Sequence, residues 1–381
     1  MIIKNGTIAQ NGKRIKADIE ILNNTINQIS NNLNGDDIID ASNCFVVPGF
    51  IDIHTHGANN VDVNGADIND FEKISDFFAS RGTTSWQPSI LTDSIEKTNY
   101  IIDQIVQYCN NKHSGAKIIG IHLEGPFLSQ EYRGSMPEHL IRNEFDLDLI
   151  KQYQNTAKGL IKYITVAPEL DGIIENIPAI NELGIKVAIG HSAADYETSM
   201  KAIENGAAAA THTMNAMKLL HQHFPAISGA VLESDVYCEI ISDGLHLHPG
   251  TIRLIIKTKG LDKVIAITDS IMATGLPDGQ YSLGVNSITV KNGDAKLTDT
   301  DIRAGSTLTM DRALRNLVDF TNRPIEEVVD LLTINPATLL ELKEKGKIDN
   351  GYDADLVILD KDLNVKYTLV DGIIQCQSKD E

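Results

Sequence analysis

The chain has 381 residues, with 33 Lys and Arg against 52 Asp and Glu, which gives a formal net charge of −19. So acidic a chain repels a phosphate backbone, and no basic cluster offsets it, which excludes a nucleic-acid-binding role. With 42% hydrophobic and 22% charged residues, the composition is that of a soluble globular protein with a large core, and no apolar run approaches the ~20 residues that span a bilayer.

The opening segment, Met1-Ile2-Ile3-Lys4-Asn5-Gly6, lacks the basic-then-apolar pattern of a secretory signal. The cysteines Cys44, Cys109, Cys238 and Cys376 show neither metal nor redox spacing. A cytoplasmic location with reduced thiols is therefore expected. Over the first ~45 residues, short apolar runs alternate with Asn5-Gly6, Asn11-Gly12, Asn23-Asn24 and Asn34-Gly35, the signature of a small antiparallel sheet.

Eight short β-branched runs follow: Phe50–Ile53, Thr83–Gln87, Lys117–Ile121, Lys162–Val166, Lys186–Ile189, Ala208–Thr211, Val236–Ile241 and Val264–Thr268. Helical patterns lie between most of them. Asp70–Ser80 gathers Phe71, Ile74, Phe77 and Phe78 on one face, and Ser94–Cys109 does the same with Ile101, Ile102, Ile105 and Val106. Eight strands alternating with helices predict an α/β fold of the (β/α)₈ TIM-barrel type. An open sheet that binds dinucleotides would carry a Gly-x-Gly-x-x-Gly turn, and none is present. Tyr281–Leu297 reads as a hairpin insertion, followed by helices at Leu308–Phe320, Ile325–Leu332 and Pro336–Leu342. The last ~30 residues are again β-rich and contain Asp371-Gly372. The expected division is a small β domain from residues 1–47 plus 350–381, and a barrel from residues 48–349.

A barrel enzyme works at the carboxyl ends of its strands, so the residues that close each apolar run are the informative ones. After the first run come His54 and His56, which point to the same side of an extended chain. Later runs are followed by Glu124, His191, His212 and Asp269. Imidazole nitrogen with carboxylate oxygen suits Zn²⁺ or another first-row ion (Fe²⁺, Mn²⁺, Co²⁺) and not Mg²⁺ or Ca²⁺. Such an ion polarises a carbonyl and lowers the pKa of water. Asp269 is the expected general base, passing its proton to a departing amine. No Gly-x-Ser-x-Gly elbow competes as a source of a nucleophile.

Pro48-Gly49-Phe50-Ile51-Asp52-Ile53-His54-Thr55-His56-Gly57 with Asp269 resembles the amidohydrolase superfamily. Within it, His122-Leu123-Glu124-Gly125-Pro126-Phe127, Gly190-His191-Ser192, Thr211-His212, Asn215-Ala216-Met217, Asp243-Gly244-Leu245-His246 and Ala304-Gly305-Ser306 resemble N-acetylglucosamine-6-phosphate deacetylases. The resemblance runs almost end to end. It implies a metal-dependent barrel with a small β-sandwich domain built from both termini, usually as a homodimer. It also implies hydrolysis of an amino-sugar phosphate to acetate and the free amine.

Carried over, Glu124, His191 and His212 match the principal metal ligands. His54 and His56 match the two-metal members, with Glu124 bridging and Asp269 completing the first site, so one or two ions per subunit are implied. Asn215, Ala216 and His246 match substrate-contacting positions. Two positions depart from the family pattern. His223 stands where an Arg often reaches the phosphate across a subunit boundary, and Met136 replaces a His near the reacting amide. Rival readings are a deacetylase of N-acetylgalactosamine 6-phosphate or of an unphosphorylated acetamido sugar, and a catalytically silent barrel.

Overall fold

Eight parallel strands ring the centre of the protein in the computed structural model, which describes residues 1–378. They are Phe50–Thr55, Thr83–Leu91, Ile121–Glu124, Ile161–Val166, Lys186–Ile189, Ala209–Ala210, Tyr237–Ile241 and Val264–Ile267. Each runs parallel to the next. The ring closes where the Asp269 N–H donates to His54 O (2.9 Å) and the His56 N–H to Ser270 O (2.7 Å). All eight predicted runs are present. The third is split into Lys117–Ile118 and Ile121–Glu124. Both pieces pair with the second strand, and from Ile121 onward the chain pairs on its other side with the fourth strand as well, through Glu124. His122 and Glu124 therefore lie inside the strand and not beyond its end.

The strands are nearly continuous apolar runs because helices cover one face and interior side chains fill the other. The helix Ile68–Ala79 starts at Asp67, whose carboxylate and that of Asp70 make a reciprocal capping box. The helix Ile95–Cys109 starts at Ser94, whose hydroxyl accepts from Lys97 N. Both bury the predicted face against the barrel, with Phe71, Ile74, Ile101, Ile102 and Ile105 in its core.

The termini build two sheets. One has four strands in the order Thr25–Ser30, Asp18–Leu22, Ile2–Lys4, Ile38–Asp40. The other has six, in the order Ile373–Gln377, Val365–Val370, Leu356–Leu359, Phe45–Pro48, Thr7–Gln10, Lys13–Lys16. The second sheet joins the two ends of the chain: Val46 pairs with Ile358 and Val47 with Val357. Ile3, Ile19, Ile26, Val46, Leu356 and Leu369 form the shared core of the sandwich. Residues 379–381, the end of the predicted terminal segment, lie outside those described.

The expected hairpin after the eighth strand is a three-stranded antiparallel sheet, Gly279–Leu283, Asn286–Lys291 and Asp294–Leu297. Its apolar side has a core of its own, in which Leu283, Ile288 and Val290 pack with Leu91, Leu128, Met136 and Ile271. The insertion thereby docks on the loop that follows the third strand, at the mouth of the barrel.

Candidate active site

At the carboxyl end of the barrel, six side chains from five strands converge. His54, His56 and Asp269 form one group, and Glu124, His191 and His212 another, with the donor atoms of each group all within 4.8 Å of one another. Glu124 joins the two: Oε1 lies 3.1 Å from His191 Nε2, 3.2 Å from His212 Nε2 and 3.3 Å from His54 Nε2, while Oε2 lies 3.1 Å from His56 Nε2. Asp269 Oδ1 sits 3.2 Å from His56 Nε2.

The imidazole tautomers show whether a cation fits. His56 Nδ1 donates to Ser89 O, His191 Nδ1 to Tyr132 O and His212 Nδ1 to Asn215 O. A carbonyl oxygen can only accept, so in each neutral ring Nε2 keeps its lone pair. Those lone pairs nevertheless face one another, His191 Nε2 to His212 Nε2 at 3.0 Å and His54 Nε2 to His56 Nε2 at 3.3 Å. Such an arrangement repels itself unless positive charge lies between the nitrogens. The carboxylates make the same demand: burial alone would depress the His56 imidazole, but Glu124 and then Asp269 push it up to about 9. Burial would raise the Glu124 and Asp269 carboxyls, and His54 and His56 instead hold both below their ordinary values. A divalent cation satisfies both requirements, and these residues fit one.

The backbone is strained where these groups project. His191, His212 and Asp269 have φ of 47°, 29° and 50°, a region that non-glycine residues adopt sparingly and that clusters at functional sites. The strand has ended at each, so ladder hydrogen bonds no longer hold the residue extended.

Beneath the cluster lies a polar layer whose contact with these side chains the sequence reading missed. Glu239 is fully buried and accepts three hydrogen bonds: from Tyr163 Oη (2.6 Å), His54 Nδ1 (3.2 Å) and the His212 N–H (3.0 Å). Asp52 accepts from Thr268 Oγ1 at 2.5 Å, and burial pushes its carboxyl up to about 6 against that bond. His122 is braced by Ser89 Oγ (2.8 Å) and Thr165 Oγ1 (2.9 Å). Burial and then the neighbouring His54 hold its pKa well down, so it stays neutral. A lone acidic residue in each of two apolar strand runs, Asp52 and Glu239, was the available signal.

Above the cluster opens a cavity of about 210 Å³, lined by His56, Glu124, His191, His212 and Asp269 at its base. Met136, Asn215, Ala216 and His246 line its walls. His246 is held by Asp243, whose Oδ2 lies 2.7 Å from Nδ1. The Asn215 N–H is already committed to His212 O at 2.9 Å, whereas the Ala216 N–H has no acceptor among the described residues. His223, expected to reach a substrate across a subunit boundary, is not among the residues that line this chain's own cavity. Its loop turns back on itself through paired hydrogen bonds between His221 and Phe224 (3.1 and 3.0 Å), which leave His223 exposed. Arg303, unforeseen from sequence, stands on the wall instead.

An imidazole-carboxylate cluster of this kind, at the mouth of a (β/α)₈ barrel, defines a metal-dependent hydrolase. The sequence profile of the Amidohydrolase family matches residues 45–374, and the chain belongs to that family. Within the family it is similar to N-acetylglucosamine-6-phosphate deacetylases. The one from Lysinibacillus sphaericus is 35% identical, over 99% of this chain and 98% of that protein. The one from Bos taurus is 35% identical, over 87% of this chain and 84% of that protein. Among solved structures, an aspartate-to-alanine variant of the Mycobacterium smegmatis deacetylase in complex with N-acetyl-D-glucosamine-6-phosphate superposes with a TM-score of 0.94 at 30% identity, covering 99% of each chain. The Thermotoga maritima deacetylase superposes with a TM-score of 0.90 at 32% identity, covering 99% of this chain and 100% of that one.

Proposed function

We propose that this protein hydrolyses the acetamido group of N-acetylglucosamine 6-phosphate, giving glucosamine 6-phosphate and acetate. The observation that carries the reading is the joined cluster of Glu124, His191 and His212 with His54, His56 and Asp269 at the base of a cavity, in a chain similar end to end to deacetylases of that name. The cavity is small beside the ~300–1,000 Å³ of drug-sized sites, which suits one sugar ring and not an oligosaccharide.

His54, His56, Glu124, His191, His212 and Asp269 would hold one or two divalent ions. Zn²⁺ is our first candidate, ahead of Fe²⁺, Mn²⁺ and Co²⁺. When bound, the ion supplies Lewis acidity toward the acetamido carbonyl and acidifies water. Asp269 is the proton carrier in this reading. Held ionised by His54 and His56, it accepts the proton of the attacking water and returns it to the departing amine nitrogen. Glu239 orients the His54 ring, and Asp52 accepts from the His54 N–H at 3.4 Å. His246, Met136, Asn215 and Ala216 position the sugar.

The proposal extends to a cytoplasmic homodimer, with His223 at the subunit boundary. Its support is the loop carrying Leu219, Leu220 and Phe224, which are 59%, 55% and 69% exposed, an apolar patch of the kind that marks an interface. A monomer by light scattering at micromolar concentration, with activity intact, would remove that part. We also propose the division into residues 1–47 plus 350–381 and residues 48–349.

The function itself is tested by acetate release from purified, metal-supplied protein on a panel of acetamido sugars with and without a 6-phosphate. Preference for N-acetylglucosamine 6-phosphate is expected. Preference for the galacto epimer or for a free sugar would redirect the substrate, and no release from any would leave a silent barrel.

A further inference from the structure

The cavity has two chemically distinct ends. Its base carries the cluster described above, and its rim is closed by Ile302, Arg303 and Leu283 from the inserted sheet and the segment that follows it. Among the described residues Arg303 is the sole guanidinium or ammonium group on that wall; the other basic side chains there are imidazoles. Its conformation is fixed: Nε donates to Asp294 Oδ1 at 2.8 Å and Nη2 to Asp294 Oδ2 at 3.0 Å. The backbone is pinned as well, since Leu297 N–H donates to Ile302 O (2.9 Å) and Ala304 N–H to Ala295 O (3.1 Å). A guanidinium has five N–H donors. Asp294 takes two, which leaves Nη1 and one hydrogen of Nη2 uncommitted among the described residues. Lys296, 3.8 Å from Asp294 and 3.2 Å from Asp301, keeps the carboxylate of Asp294 from cancelling the positive charge of the rim.

Resting on the deacetylase reading, we propose that Arg303 is the phosphate-recognising residue of this chain, gripping the anionic end of the sugar while the acetamido group lies at the cluster. A planar, permanently charged fork held by two hydrogen bonds to one side and open on the other is pre-organised for a tetrahedral oxyanion. The free Ala216 N–H, on the same cavity wall, adds a donor. An ordinary rim ion pair is the competing account, and such pairs contribute little to stability. It gives Arg303 no part in substrate choice.

Two variants separate the accounts. Arg303→Gln should raise KM for N-acetylglucosamine 6-phosphate about ten- to hundredfold, the range for a lost hydrogen bond to a charged group. It should leave kcat/KM for unphosphorylated N-acetylglucosamine unchanged, and Arg303→Lys should restore part of the loss. Calorimetric titration gives a readout that needs no turnover: the wild type should bind glucosamine 6-phosphate more tightly than glucosamine, and Arg303→Gln should lose that difference. Equal phosphate preference in wild type and Arg303→Gln would overturn the proposal, as would equal losses on both sugars. If the wild type released no acetate, the deacetylase reading would fall, and the titration would still decide the role of Arg303.

Discussion

His54 Nδ1 and Glu239 Oε2 meet at 3.2 Å in the barrel interior, although 185 residues separate them in the chain. The pair fixes the first-strand imidazole so that Nε2 faces Glu124 and Asp269. Since Glu239 also receives Tyr163 Oη and the His212 N–H, one carboxylate orients residues of both ligand groups. An amide in its place presents an NH₂ to one of these donors. Glu239→Gln should keep the fold by circular dichroism and weaken metal retention about 10- to 100-fold, as outer-sphere partners of histidine ligands do. Competition against a chelator measures this, and unchanged retention would leave Glu239 a packing residue.

Removing the charge of Asp269 tests the proton carrier. Asp269→Asn should hold substrate nearly as well as the wild type while kcat drops by at least about 10²-fold, the lower end for general acid–base catalysis. Near-normal turnover would take the role from Asp269.

The two ligand groups predict a stoichiometry. Protein loaded with excess metal and then desalted should carry close to two equivalents by elemental analysis. His54→Asn with His56→Asn should lose one of them and most of the activity. One equivalent in the wild type, with full activity in the double variant, would contradict the two-ion reading.

Thiol chemistry supplies a pH test away from the site. Burial pushes both Cys109 and Cys238 up to about 11 from an ordinary 9.0. Only the thiolate alkylates, so iodoacetamide at pH 8 should leave both unmodified in folded protein and label them after denaturation. The sign of the linkage follows. Above pH 9 the unfolded chain loses these protons while the folded chain keeps them, so stability should fall as pH rises from 9 to 11. Rapid labelling of native protein at pH 8 would show that these thiols open to solvent.

The barrel was legible because its strands are buried on both faces and therefore read as β-branched runs, and because ligand side chains fall where those runs stop. The capped helices were legible for a similar reason, their apolar faces recurring at helical spacing. What escaped is contact across the ring. No local pattern says that Glu239 of the seventh strand meets His54 of the first. Nor does any local pattern say that the insertion folds over the cavity and brings Arg303 with it. The path of the loop that carries His223 was not legible either, because it depends on the loop's own hydrogen bonds, here His221 with Phe224, and not on its position after a strand.

The pairing of Phe45–Pro48 with Leu356–Leu359 imposes a schedule on synthesis. At ~5–20 residues per second, about 300 residues of intervening chain hold the early strand waiting for its partner for roughly 15–60 s. Until then Val46 and Val47, fully buried in the finished protein, sit on an open sheet edge, the kind of template on which nascent chains aggregate. The catalytic barrel lies wholly between the two partners and can close first. Chaperone dependence in the cell should therefore trace to this seam and not to the barrel, and a circular permutant that joins the termini and opens elsewhere, with about 66 residues between the two strands, would shorten the delay to roughly 3–13 s.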